Sequence, residues 1–140
     1  MFDKLDLKEI IESIHVIDQC KFKISSKKNR KKIQHKITQI IRDYKIKNTH
    51  HEYDRAIGNG IAHGHCPVKC KIYIGGYGQL ICIIKDAGEG FNYKEVVKKY
   101  HQNEMYYHHK GFGTKCYARN EHLLVDWKNQ GSTIILFYNS

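Results

Sequence analysis

The stretch Ile81-Cys82-Ile83-Ile84-Lys85-Asp86-Ala87-Gly88-Glu89-Gly90-Phe91 decides how the chain reads. Leu80 to Ile84 is apolar at every position, as a central strand covered on both faces should be. The strand runs into an acid and then two glycines spaced by one residue. Glycine permits positive φ and lets the backbone come close to a ligand. A carboxylate on the floor of such a turn accepts hydrogen bonds, so it can select an amino group. A β-turn after a strand often carries the same pattern, so Asp86-x-Gly88-x-Gly90 is weak by itself and needs support from elsewhere.

Working back from it, Val68, Cys70, Ile72 and Ile74 alternate with Lys69, Lys71 and Tyr73, and Gly75-Gly76-Tyr77-Gly78 joins this strand to the central one as a hairpin. Before them, helical spacing predicts a helix over roughly 50–63. Tyr53, Ala56, Ile57, Gly60 and Ile61 form its buried stripe, and Glu52, Arg55, Asn59 and His63 share the other face. An asparagine facing a pocket can coordinate a hard cation through its carbonyl oxygen; the plain alternative is a surface asparagine. A longer helix is predicted from about Lys27 to Tyr44, capped by Ser25 or Ser26, with Ile33, Ile37, Ile40, Ile41 and Tyr44 facing the core. Lys27, Lys28, Arg30, Lys31, Lys32 and Lys36 crowd its first half, against the helix dipole. Phe22 and Ile24 alternate with Lys21 and Lys23 as a half-buried edge strand. At the N-terminus Asp6 and Glu9 make a capping-box arrangement, with Leu5 and Ile10 placed as a staple and Leu7, Ile10, Ile11 and Ile14 as the apolar stripe of a short helix. Residues 1–19 read as a helical extension that packs on the domain or on a second subunit.

Forward of Phe91 the pattern dissolves. Tyr93 to Val97 allows a helical turn, but Asn92 to Lys110 as a whole is polar, aromatic and without period, and a loop of that length is usually functional or mobile. Gly111-Phe112-Gly113-Thr114 then opens a helix to about Arg119, and glycines at a helix start make a phosphate cradle. Leu123 to Trp127 is a strand, Lys128 to Gly131 a turn and Ser132 to Tyr138 a final strand, with Thr133 placed to offer its hydroxyl to the same pocket.

A chain of 140 residues with 41% hydrophobic and 27% charged residues suits one domain with a real core. No apolar run reaches the length of a membrane span and no signal-peptide core is present, so a soluble cytoplasmic protein is expected. Five cysteines without a regular framework point to reduced thiols. The formal net charge of +10 favours an anionic partner, although a solvated lysine-rich surface gives the same number.

Together these pieces resemble the GHKL superfamily of ATP-binding domains (gyrase, histidine kinase and MutL types), and within it the small anti-sigma factor serine kinases of bacteria. The resemblance covers roughly Lys21 to Tyr138. It is carried by Asn59-Gly60-Ile61-Ala62-His63-Gly64, similar to the family's Asn-Ala-x-x-His-Gly box, by Asp86 to Phe91, by Gly111-Phe112-Gly113 and by Gly131-Ser132-Thr133, in that order. It implies an α+β fold: a two-layer sandwich of a mixed β-sheet with helices on one face, over residues 20–140, with a lid at about 92–110. It implies ATP or ADP with Mg²⁺, the ion held by Asn59, with His63 in the same box. Asp86 would accept from the adenine amino group, helped by Thr133. Gly88 and Gly90 would allow close approach to the nucleotide, and Lys110, Gly111 and Gly113 would contact phosphates. It implies a protein partner, either a sigma factor or an anti-anti-sigma-like antagonist, and a homodimer in some relatives.

One departure bears on chemistry. The family usually carries a glutamate one helical turn before the metal-binding asparagine, as general base; here that position is Arg55, which accepts no proton at neutral pH. Glu52 lies a further turn back, Asp54 points to the side, and Arg55 suits bidentate pairing with a phosphate. Serine/threonine kinase activity therefore depends on whether Glu52 or Asp54 can serve; otherwise the chain is a kinase-inactive, nucleotide-sensing module. Two rivals carry less. His63, His65, Cys66 and Cys70 crowd together as soft zinc ligands, but His63 belongs to the box and Cys70 to the inward set of a strand. A basic nucleic-acid-binding module keeping the fold would use the Lys27 to Lys36 cluster and the ten tyrosines, but no nucleic-acid motif accompanies them.

Overall fold

The computed structural model describes residues 2–102 and 115–139. In order they form α1 (Leu7–Ser13), β1 (Val16–Ile24), a short 3-10 turn (Lys27–Asn29), α2 (Arg30–Asp43), α3 (Glu52–His63), β2 (Val68–Gly75), β3 (Leu80–Lys85), α4 (Tyr93–His101), a helical turn at residues 115–118, β4 (Leu123–Lys128), a second 3-10 turn (Asn129–Gly131) and β5 (Thr133–Tyr138). The fold is α+β. The strands build one sheet in the order β1-β2-β3-β5-β4.

Every neighbouring pair in that sheet is antiparallel, which corrects the expectation of a mixed sheet. The reason is the connections. Tight turns join β2 to β3 and β4 to β5, and a tight turn can only reverse the chain. Parallel pairing among the described residues is limited to one bridge, from Phe2 to Val125.

The central strand does what its composition requires. Leu80, Cys82 and Ile84 point to one face, where α2 and α3 bring Ile33, Ile37, Tyr53 and Ile57 into the larger core. Ile81 faces the other way, as do its neighbours Ile135 and Phe137 on β5, and these three are buried as well. Helices on one face only would leave this second surface in water. Instead α1 covers it with Leu7, Ile10 and Ile11, and Ile14 just beyond its end is 1% exposed. The expected boundary between residues 19 and 20 thus falls inside β1, and the N-terminal segment is part of the domain's own core.

Local chemistry sets α1 in place. The Asp6 side chain accepts the Glu9 N–H at 3.2 Å, as the capping box predicts. Buried Asp126 on β4 accepts the Leu5 N–H at 2.9 Å and its neighbour's Trp127 N–H at 2.8 Å, and Lys128 balances its charge at 2.9 Å. At the far end β1 is an edge strand, with Lys21 and Lys23 exposed on it, and such charges discourage edge pairing.

Candidate functional site

Three chain segments far apart in sequence close around one cavity of about 60 Å³ at the end of the sheet. From α3 come Asn59, Gly60 and His63; from the loop after β3 come Asp86, Gly90 and Phe91; from the β4–β5 turn come Gly131 and Ser132. Ile84 and Ile134 form its apolar floor, and Tyr117 and Trp127 wall it.

Asp86 is held in place by its own loop. Its Oδ1 accepts the Gly88 N–H at 2.7 Å, and its backbone N–H donates to the Ser132 carbonyl at 3.0 Å. The other carboxylate oxygen accepts no hydrogen bond among the described residues and remains available to a donor. Gly64 passes directly over the carboxylate, and any Cβ there would collide with it. Gly88 is equally required, since its Cβ would stand 2.9 Å from the Gly64 Cα. The glycine that ends α3 and the glycine that follows Asp86 thus make room for each other.

Gly90 has a different use from the one expected. It takes φ +86, and a side chain there would strike the Gln130 carbonyl. Opposite it Gly131 takes φ +93, and its Cβ would lie 2.6 Å from the Phe91 carbonyl oxygen. The Phe91 N–H donates to the Gln130 carbonyl at 2.9 Å. The two turns are buttoned together backbone to backbone, and Gly90 serves that contact while also lining the cavity.

Asn59 sits on α3 where the cavity opens. Tyr117 walls the same cavity, and burial pushes its phenol well above the usual range while the neighbouring Asn59 pulls the other way. An asparagine carbonyl oxygen is a hard neutral ligand of the kind Mg²⁺ takes together with water and substrate phosphates. Asn59 is the residue that would hold the ion the resemblance implies.

Thr133 does not reach the cavity. It pairs with Lys85 across the β3–β5 ladder, while Ile84 and Ile134 take the cavity side, so alternation turns Thr133 to the opposite face. Its hydroxyl accepts from Asn129 Nδ2 at 3.0 Å, and Ser132 lines the cavity in its stead. Lys110, Gly111, Gly113 and residues 103–110 of the expected lid lie outside the described residues; the first part of that stretch, Tyr93–His101, is the helix α4.

Sequence reasoning missed the aromatic wall. Trp127 stacks on Tyr93 at 5.7 Å and on Phe2 at 5.7 Å, and Phe91 meets it edge-on at 5.9 Å. The available signal was the chain's single tryptophan on a strand directly before the Gly131 turn.

Both carboxylates weighed as proton acceptors are committed. Glu52 is 2% exposed; its Oε1 accepts the Tyr138 hydroxyl and the His50 N–H, each at 2.9 Å, and its Oε2 accepts Asn120 Nδ2 at 3.2 Å. Burial first, then the neighbouring Cys82 and Glu52, push the Tyr138 phenol far up, so it remains a donor. Asp54 is clamped by Arg30, whose Nε and Nη2 reach its two oxygens at 3.2 Å. Arg55 is exposed and makes no ion pair among the described residues. The chain matches no known family model, no curated protein and no solved structure.

Proposed function

We propose that the chain is a nucleotide-binding regulatory domain of the GHKL type, similar to the anti-sigma factor kinases, that binds ATP or ADP with Mg²⁺ and engages a protein partner according to which nucleotide it holds. The partner class is a sigma factor or an antagonist of the anti-anti-sigma kind, which would place the protein in the cytoplasm. Among the described residues no helix is long and apolar enough to cross a membrane.

The reading rests on one observation above the others. Asn59 and His63 of one motif, Asp86 of a second and Gly131 of a third, well separated in the chain, all line the same cavity. Asp86 offers one open acceptor for an exocyclic amino group, and Phe91, Tyr117 and Trp127 give the cavity an apolar aromatic wall. The cavity holds about 60 Å³, whereas pockets for drug-sized ligands run to roughly 300 Å³ or more, so a nucleotide needs the cavity to open wider.

Binding without phosphoryl transfer is the favoured form of this function. Glu52 spends its oxygens on three donors and Asp54 is paired with Arg30, so neither is placed to take a proton from an attacking hydroxyl. The test is calorimetric titration with ATP and ADP, with and without Mg²⁺, alongside Asp86→Asn. Binding of either nucleotide that vanishes in the variant supports the assignment; absence of binding by the native chain refutes it. Release of phosphate from ATP by the native chain would refute the transfer-free form alone.

A further inference from the structure

A second recess adjoins the cavity and shares only Asn59 with it. It holds about 450 Å³ and is lined by Arg30, His50, His51, Asp54, Arg55, Gly58, Asn59 and Cys116. Two arginines and two histidines meet one carboxylate there. That carboxylate is already spent, because Asp54 takes two side-chain bonds from Arg30 and its carbonyl oxygen takes a third at 3.1 Å. The Arg30 guanidinium lies flat against α3 at Gly58, where any Cβ would meet its Cζ at 2.7 Å. The recess is therefore shaped around a fixed arginine, and it leaves a second one, Arg55, with no ion pair among the described residues. His51 turns its Nδ1 toward the Tyr53 hydroxyl at 3.3 Å, which aligns the ring.

An unpaired guanidinium beside imidazoles, in a recess with its one acid neutralised, suits a dianion with several acceptor oxygens. We infer that this recess is a binding site for a phosphate monoester group, with Arg55 as its principal ligand and Arg30 and the two histidines as its walls. The group is either the terminal phosphate of a nucleotide seated in the adjoining cavity or the phosphorylated hydroxyl of a protein side chain presented from outside. The site stands on its own charges and does not require that the cavity bind a nucleotide.

The probe is inorganic phosphate, titrated into the full chain and followed by phosphorus NMR line broadening and by calorimetry. Three variants are compared with the native chain: Arg55→Glu, Asp86→Asn, and Lys31→Glu as a charge-matched change on exposed α2 surface. Circular dichroism melts establish that each variant is folded. The site predicts phosphate binding that weakens about tenfold or more in R55E and stays unchanged in D86N and K31E. No phosphate binding by the native chain, equal binding by R55E, or equal weakening by R55E and K31E would overturn it, the last because the effect would then be net charge alone. ATP and adenosine separate the sources. A loss confined to ATP in R55E assigns the group to the nucleotide's own terminal phosphate. Unchanged ATP affinity with lost phosphate binding assigns it to a phosphorylated side chain. Failure of the nucleotide reading shows separately, as absence of ATP binding with phosphate binding intact.

Discussion

At the scale of single residues, the candidate site depends on positions where only glycine fits. Gly131 combines φ +93 with backbone of Phe91 pressed against it, so Gly131→Ala incurs both left-handed strain and a collision. The expected loss is about 2–3 kcal/mol, read as a lower urea midpoint with an unchanged slope. A midpoint equal to that of the native chain would mean the two turns are not locked together. These positions also show how far sequence could go. Asp-x-Gly-x-Gly announced a backbone approach, and a backbone approach is there. What Gly90 approaches is the turn at Gln130, and a partner forty residues away cannot be read from a local spacing. Thr133 illustrates the complementary difficulty. Shifting a strand's start by one residue exchanges its faces, so Ser132 and Thr133 swapped roles once β5 was found to pair Thr133 with Lys85.

At the scale of elements, α3 is tied to the sheet through one buried carboxylate. Glu52 sits in the first turn of α3, where a negative charge also favours the helix dipole, and it gathers the loop before the helix, Asn120 and the last residue of β5. Glu52→Ala strands these donors in an apolar setting and should cost about 3 kcal/mol, measured by urea denaturation, while Glu52→Gln keeps most of the shape and loses less. A cost under about half a kcal/mol for the alanine variant would show that the network contributes nothing. Periodicity placed Glu52 on the open face of α3 with Arg55, Asn59 and His63; the structure buries it instead, under Tyr138 of β5 and Asn120, which a helical period cannot show. The basic start of α2 became intelligible in the same way. Arg30 turns from its neighbouring lysines to clamp Asp54 on α3, so part of that charge serves the packing of two helices. Helices and strands themselves were legible because their apolar periods are strong. The cover that α1 provides was only half legible: its stripe was clear, but the surface it needed is defined by Ile81, Ile135 and Phe137 from strands elsewhere in the chain.

At the scale of the whole molecule, the interior holds titratable groups that resist ionisation. Burial raises the Cys70 thiol from 9.0 to about 12, and it raises Cys82, Tyr117 and Tyr138 as well. The folded chain keeps these protons at pH values where the unfolded chain has released them. Their contribution is therefore complete below pH 9.0 and is lost progressively as pH climbs toward 12. Urea midpoints taken at steps of pH above 9.0 should fall steadily, and a flat profile to pH 12 would contradict the burial of these groups. The N-terminal segment belongs to the same whole. Phe2 stacks on Trp127, the tryptophan that walls the cavity, so the first residues and the candidate site share one aromatic cluster.

That tryptophan also supplies the most direct test of the central claim, that a nucleotide occupies the cavity between Asn59, Asp86 and Gly131. Trp127 is the only tryptophan in the chain, so its emission reports on this cavity. ATP with Mg²⁺ should change Trp127 fluorescence saturably in the native chain, and Asp86→Asn should abolish the change while leaving the melting curve intact. A titration that leaves Trp127 emission unaltered in the native chain, or a response that survives in D86N, would contradict the account.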